Sequence, residues 1–118
     1  LSEYKGELMK LQPRDAAEKG LVELKLELVE MQENMNALGN YLSETDFENP
    51  DCGFFGPVFS AKDAAASALE SAQKSVQLSR SLNAPEGFGY LKGADFEGLM
   101  QAVIGSLNSA RQLLDSTC

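Results

Sequence analysis

The stretch that decides the fold is LVELKLELVEMQENMNAL, residues 21–38. Its large apolar residues recur at alternating spacings of three and four, which keeps them on one face of an α-helix. They are Leu21, Leu24, Leu28, Met31, Met35 and Leu38. Asp15 and Glu18 form a capping-box-like start, so we predict a helix over residues 15–42, with a length of about 42 Å. Such a helix needs other helices to cover its apolar face.

Three further helices are predicted on either side of this stretch. A short one covers residues 2–11 and ends before Pro13. A longer one covers residues 60–82, and its small residues permit close helix approach. Its face consists of Ala61, Ala65, Ala68, Leu69, Ala72, Val76 and Leu82. The last begins near Ala94 and carries Phe96, Leu99, Met100, Val103, Leu107, Ala110 and Leu114.

These patterns predict an all-α fold, since no strand-like alternation competes with them. Helices joined in this order bury their faces most simply as an up-down antiparallel four-helix bundle with one short and three long helices. A three-helix bundle with an N-terminal arm is the alternative. A chain of 118 residues needs one hydrophobic core, so we expect a single domain, residues 1–118.

The chain is acidic, with a net charge of −8 and an isoelectric point near 4.4. We therefore expect it to bind neither nucleic acid nor an anionic membrane surface. No run of 18 apolar residues occurs, so we expect no membrane insertion. The chain begins at Leu1 without a basic and apolar leader pattern, so we expect a targeting peptide to have been removed or never present.

The charge is unevenly distributed along the chain. Residues 15–51 hold ten acidic and two basic residues, whereas the remainder holds eight of each. One interpretation is that the glutamates of the long helix form a solvated face. The other is that the acidic side faces water while the neutral side binds a partner through its basic residues, Lys62, Lys74, Arg80 and Lys92.

Cys52 and Cys118 are the only cysteines, and the chain has no histidine. A zinc site is therefore not expected. A disulfide between the two would close a loop of about 67 residues, stabilise the fold by about 4 kcal/mol and indicate an oxidising compartment. Two free thiols are the alternative. We predict the disulfide, because it would hold both the chain end and a glycine-rich loop.

Catalytic patterns are missing. General acid–base chemistry usually uses histidine, and a di-metal carboxylate bundle needs Glu-x-x-His. GFGYLKG, residues 87–93, has no Lys-Ser/Thr and follows a helix, so it is not a phosphate-binding loop. The serines of SALESAQKSVQLSRS, residues 67–81, have no recognisable base. We expect no enzyme activity, no cofactor and no metal.

The stretch ENPDCGFFGPVF, residues 48–59, concentrates aromatic residues in a segment that cannot be helical throughout. In one interpretation its rings pack with a second aromatic loop as a small core under the bundle end: Phe54, Phe55, Phe59, Phe88 and Tyr90. In the other, Phe54 and Phe55 lie between two glycines, turn outward and bind a larger protein.

A small acidic helical bundle with a cysteine pair and a long heptad helix after a proline resembles the PsbQ-like extrinsic subunits of photosystem II, especially the diatom or algal type. FEGLMQAVIGSLNSARQLL, residues 96–114, is similar in pattern to the final PsbQ helix. The chain departs from plant PsbQ, which is basic and has a proline-rich N-terminal arm. The resemblance implies a thylakoid-lumen protein, monomeric when free, that docks on the lumenal face of the photosystem II core. There it would support oxygen evolution by protecting or retaining the manganese, calcium and chloride site.

Two other functions are compatible with the sequence. Met31, Met35 and Met100 suggest a secreted carrier of a hydrophobic ligand, because methionine adapts to irregular apolar guests. AAASALESAQKSVQLSRSL, residues 64–82, is similar to the alanine- and serine-rich helices of talin-like rods, which suggests an adaptor.

Overall fold

The computed structural model describes residues 16–82 and 93–118. These residues form three helices: α1 (Ala16–Glu44), α2 (Pro57–Leu82) and α3 (Gly93–Thr117). The described ranges contain no strand, so the all-α class is confirmed there. The predicted short helix, residues 2–11, lies outside the described residues.

The helix boundaries agree with the periodicity except at the start of α2. That helix begins at Pro57, three residues before the predicted start at Ser60. Proline suits the first helical position, where its missing N–H would have no intrahelical partner. The Ser60 N–H donates to the Gly56 carbonyl at 3.2 Å and closes the first turn. The predicted start is corrected accordingly.

Helix α2 lies between the other two helices. It packs against both α1 and α3, whereas in the described residues no Cα atom of α1 lies within 8 Å of one of α3. Leu26 and Leu78 line one groove between α1 and α2, and Tyr41 and Ser60 line another near the opposite ends. These two helices are therefore antiparallel.

Helix α3 is also antiparallel to α2. Lys62, near the start of α2, pairs with Asp115 near the end of α3, and Arg80 near the end of α2 pairs with Glu97 near the start of α3. The up-down order predicted from the sequence is thus present in the three described helices.

The position of α2 explains its small side chains. Burial extends over two sides of this helix rather than the one predicted face, because it has a neighbour on each side. Alanine and serine let both neighbours approach closely. The buried residues are Val58, Ala61, Ala64, Ala65, Ala68, Leu69, Ser71, Ala72, Ser75, Val76 and Ser79. The single-face prediction is corrected to a two-sided one.

One core cluster joins the three helices. α3 contributes Phe96, Met100, Leu107 and Leu114 to it. From the predicted stripe of α1, only Leu24 and Leu38 are buried, while Leu28, Met31 and Met35 pack half-buried against the cluster. α1 has a single neighbour among the described helices, so its stripe is less completely covered than periodicity suggests.

The serines of α2 are packing residues. Ser71, Ser75 and Ser79 are buried, and the Ser75 hydroxyl donates to the Ser71 carbonyl at 2.8 Å. A serine that bonds back to its own helix is compatible with a helix interface. No buried side-chain nitrogen or oxygen in the described residues lacks a hydrogen-bond partner.

A disulfide fixes the end of α3 to the loop between α1 and α2. Cys52 and Cys118 are bonded. Their Cα atoms are 5.8 Å apart, and their sequence separation is 66. The predicted pairing is confirmed. The end of α1, the start of α2 and the end of α3 therefore meet at one end of the molecule, which we call the disulfide end (residues 44–60 and 114–118).

Candidate functional site

Two aspartates organise the loop at the disulfide end. Asp46 Oδ1 accepts hydrogen bonds from the backbone N–H groups of Glu48, at 3.0 Å, and Asn49, at 3.2 Å. Asp51 Oδ1 accepts one from the Gly53 N–H at 2.9 Å. An aspartate that bonds to backbone two or three residues ahead forms a stable turn. Local bonds therefore hold the loop in addition to the disulfide.

The tightest point of the loop lies at Gly56. A Cβ atom there would lie 2.6 Å from the backbone oxygen of Asp51 and 2.9 Å from its Cγ. The Gly56 N–H donates to the Gly53 carbonyl at 2.9 Å and closes the turn that carries Phe54 and Phe55. Glycine is thus required at position 56, because the backbone of Asp51 passes too close for a Cβ atom. The turn presents two consecutive aromatic rings.

The ring of Phe54 contacts two other phenylalanine rings, one on this turn and one on the first turn of α2. The ring centroids of Phe54 and Phe55 are 5.2 Å apart in an edge-to-face arrangement, and those of Phe54 and Phe59 are 4.6 Å apart. The exposed fractions are 68% for Phe54, 93% for Phe55 and 44% for Phe59. We call these three residues the phenylalanine cluster. Exposed apolar patches of this kind mark interaction sites.

The exposure of these rings bears on the two interpretations of the aromatic loop. Phe54 and Phe55 point outward and do not form a small core under the bundle end. Phe88 and Tyr90, the other members of that predicted core, lie outside the described residues. Phe47, in the same loop, is also 44% exposed. The outward interpretation is the one that matches the geometry of Phe54 and Phe55.

Lys62 is the basic residue nearest to the phenylalanine cluster along the chain. It follows Phe59 by three positions, which is close to one helical turn. Its Nζ lies 3.6 Å from Asp115 Oδ1, and its side chain is 35% exposed. Lys62 is therefore at the predicted docking surface but already has an acidic partner on α3.

The other basic residues predicted to bind a partner lie elsewhere. Lys74 pairs with Glu70 one turn earlier on α2, at 3.4 Å. Arg80 Nε donates to Glu97 Oε1 on α3 at 2.7 Å. Lys92 lies outside the described residues. Exposed pairs of this kind stabilise a fold by about 0–1 kcal/mol, so both contribute little to stability.

Sequence reasoning missed the two aspartates as loop anchors. The signal was present, because Asp51 precedes Gly53 by two positions and such Asp-x-Gly stretches favour a side-chain-capped turn. It also missed Phe47, whose exposure depends on how the loop lies against α1 and α2. Periodicity contains no information on that point.

No protein-family model matches the chain, and no curated protein or solved structure matches it. Within residues 16–82 and 93–118, no helix combines the length and the apolar character needed to cross a membrane. The same ranges contain no group of three or more acidic or cysteine residues arranged to hold a metal ion.

Proposed function

We propose that the chain is a non-enzymatic docking domain that binds a larger protein through the phenylalanine cluster. The observation that carries this proposal is the exposure of three contacting rings on a turn held by aspartate hydrogen bonds and a disulfide. Aromatic rings on a turn that is already ordered lose little conformational entropy on binding, while each offers a large contact area.

Phe54 and Phe55 offer a substantial apolar area for a partner to cover. A phenylalanine buries about 150–250 Å² when fully covered. With 68% and 93% exposure, Phe54 and Phe55 together offer about 240–400 Å². Full burial of a phenylalanine side chain contributes about 1.5–3 kcal/mol, so covering the exposed parts of both rings contributes about 2–5 kcal/mol before the entropic cost of association. Two such rings can dominate the affinity of a small interface.

The resemblance to PsbQ-like subunits supplies the partner that we propose, the lumenal face of the photosystem II core. The disulfide supports an oxidising compartment. Our proposal places the chain in the thylakoid lumen, with a secreted protein as the alternative. Docked there, it would support oxygen evolution by protecting or retaining the manganese-calcium-chloride site. The proposal also includes a free monomer and a fourth helix over residues 2–11.

Rebinding to salt-stripped photosystem II membranes tests this proposal. The double variant Phe54→Ser/Phe55→Ser should fold like the parent, because both rings lie outside the core cluster. We expect its affinity for the membranes to fall at least about 30-fold, the effect of losing one aromatic hot spot of 2 kcal/mol. Leu99→Ser is the control, because Leu99 is 52% exposed near the opposite end of the molecule.

The measurements are a binding isotherm for each variant and a circular dichroism spectrum that checks its fold. A double variant that rebinds like the parent would contradict docking through these rings. A double variant that unfolds would show that the rings belong to the core. If Leu99→Ser weakens binding equally, the loss is a general effect of surface polarity and the phenylalanine cluster has no special role.

No specific observation supports either of the two alternative functions. Met100 is buried in the core cluster and Met31 and Met35 pack against it, so packing accounts for the methionines that suggested a ligand carrier. Burial on two sides of α2 accounts for the alanine and serine content that suggested an adaptor.

A further inference from the structure

The disulfide end is acidic, since residues 44–60 and 114–118 contain no lysine or arginine. Residues 26–61 contain seven acidic residues and no basic one. Four of the acids, all exposed, lie in or beside the loop: Glu44, Asp46, Glu48 and Asp51. None of these four forms an ion pair with a basic side chain in the part of the chain that the structure describes.

The described basic residues do not neutralise this charge. Lys62 pairs with Asp115, another acid of the disulfide end. Lys74 and Arg80 follow Lys62 by 12 and 18 positions on the same helix, so they lie about 18 and 27 Å away along its axis. Arg111 precedes Cys118 by seven positions, or about 10 Å along α3. Within the described residues, no basic side chain pairs with the four loop carboxylates, so each can attract a cation from a partner.

Helix direction adds to the negative potential. Among the described helices, α1 and α3 end at the disulfide end, while α2 begins there. A helix carries about half a negative charge at its C-terminus and half a positive charge at its N-terminus. Neither α1 nor α3 has a basic residue in its last turn to offset the negative partial charge. The acidic side chains and the helix C-termini thus both favour a positively charged partner surface.

The phenylalanine cluster favours the same partner chemistry. The face of an aromatic ring attracts cations, and arginine is the cation found there most often. A guanidinium group can also form two parallel hydrogen bonds with one carboxylate, which an ammonium group cannot. Exposed rings in a loop whose carboxylates pair with no basic side chain of the described residues therefore suit an arginine side chain better than a purely apolar one.

We infer that the partner protein binds the disulfide end with arginine side chains, which stack on the phenylalanine cluster and pair with Glu44 and Glu48. This inference rests on the proposed function for the existence of a docked partner, and it names the chemistry of the partner's surface. It assigns the salt-sensitive part of binding to the acids of the loop rather than to the basic residues of α2.

A titration with short peptides tests the chemistry without any photosystem. The probe is acetyl-Arg-Leu-Arg-amide, followed by the chemical shifts of the backbone amides of the oxidised full chain. The matched peptides replace arginine by lysine or by citrulline, which keeps the shape of arginine and removes its charge. We expect saturable shifts centred on residues 44–60, weaker binding of the lysine peptide and no saturation with the citrulline peptide.

Two double variants test the residues. Asp46 and Asp51 accept the hydrogen bonds that shape the loop, so they are left unchanged. Glu44→Gln/Glu48→Gln removes the other two loop carboxylates. Glu23→Gln/Glu70→Gln removes the same charge at exposed positions elsewhere. The first should weaken binding to salt-stripped photosystem II membranes by about 2- to 30-fold and flatten its salt dependence, and the second should leave both unchanged.

The outcomes separate this inference from the proposed function. If Glu44→Gln/Glu48→Gln rebinds like the parent while Phe54→Ser/Phe55→Ser does not, docking stands and the arginine inference is overturned. A lysine or citrulline peptide that binds as tightly as the arginine peptide overturns it as well. If the parent does not rebind to photosystem II but binds the arginine peptide through the phenylalanine cluster, the inferred chemistry is supported and the proposed partner fails.

Discussion

Replacing Leu24 by alanine should destabilise the fold by about 3–5 kcal/mol. Leu24 is fully buried in the core cluster, on the side of α1 that packs against α2. The facing helix offers mainly alanine and serine, whose short side chains cannot swing into a new cavity. The cavity left by the leucine should therefore stay open, which puts the cost in the upper part of the usual range for Leu→Ala, about 2–5 kcal/mol.

The matched substitution is Leu28→Ala, one turn later on the same helix. Periodicity alone puts Leu28 in the middle of the apolar stripe and predicts a large cost there, but its side chain is only half-buried. We expect about 1–2 kcal/mol, because part of the removed surface already faces water. The structure thus moves the most sensitive position from Leu28 to Leu24.

Thermal and urea unfolding followed by circular dichroism measure the difference. With an unfolding entropy of about 2.1 cal/mol/K per residue, 1 kcal/mol shifts the Tm of a chain of 118 residues by about 4 °C. Leu24→Ala should therefore lower the Tm by about 12–20 °C and Leu28→Ala by about 4–8 °C. Lys25→Ala, at an exposed position between them, should change stability by less than about 0.5 kcal/mol. Equal losses at Leu24 and Leu28 would refute the assigned face of α1.

Two further predictions concern the disulfide end. Replacing Cys52 and Cys118 by serine should lower the free energy of unfolding by about 4 kcal/mol, measured by urea unfolding, and a loss below about 1 kcal/mol would contradict the expected stabilisation by loop closure. Gly56→Ala should cost about 1–3 kcal/mol by the same assay, because its Cβ would meet the Asp51 backbone at 2.6 Å. Gly53→Ala should cost less, since its Cβ would meet a single side-chain oxygen at 3.0 Å rather than backbone, and the reverse order would contradict the described turn.

Several features of this chain are readable from local sequence. Periodicity predicted α1 over residues 15–42 and α3 from residue 94, and the helices span Ala16–Glu44 and Gly93–Thr117. A helix places residues three and four apart on one face whatever surrounds it, so its pattern can be read without knowing its neighbours. The cysteine pairing was also predictable, because the chain has only two cysteines and no other ligand for a metal such as histidine.

The sequence by itself determined the helical class, the approximate extent of the helices, the cysteine pair and the acidic bias of residues 15–51. The tertiary structure decided the two-sided burial of α2 and the incomplete burial of Leu28, because burial depends on how many neighbours a helix has. It also decided the exposure of Phe54 and Phe55. By their sequence pattern alone, the same two rings could equally have filled a core. Their direction depends on the hydrogen bonds of the turn and on a disulfide between distant residues, and a local pattern specifies neither.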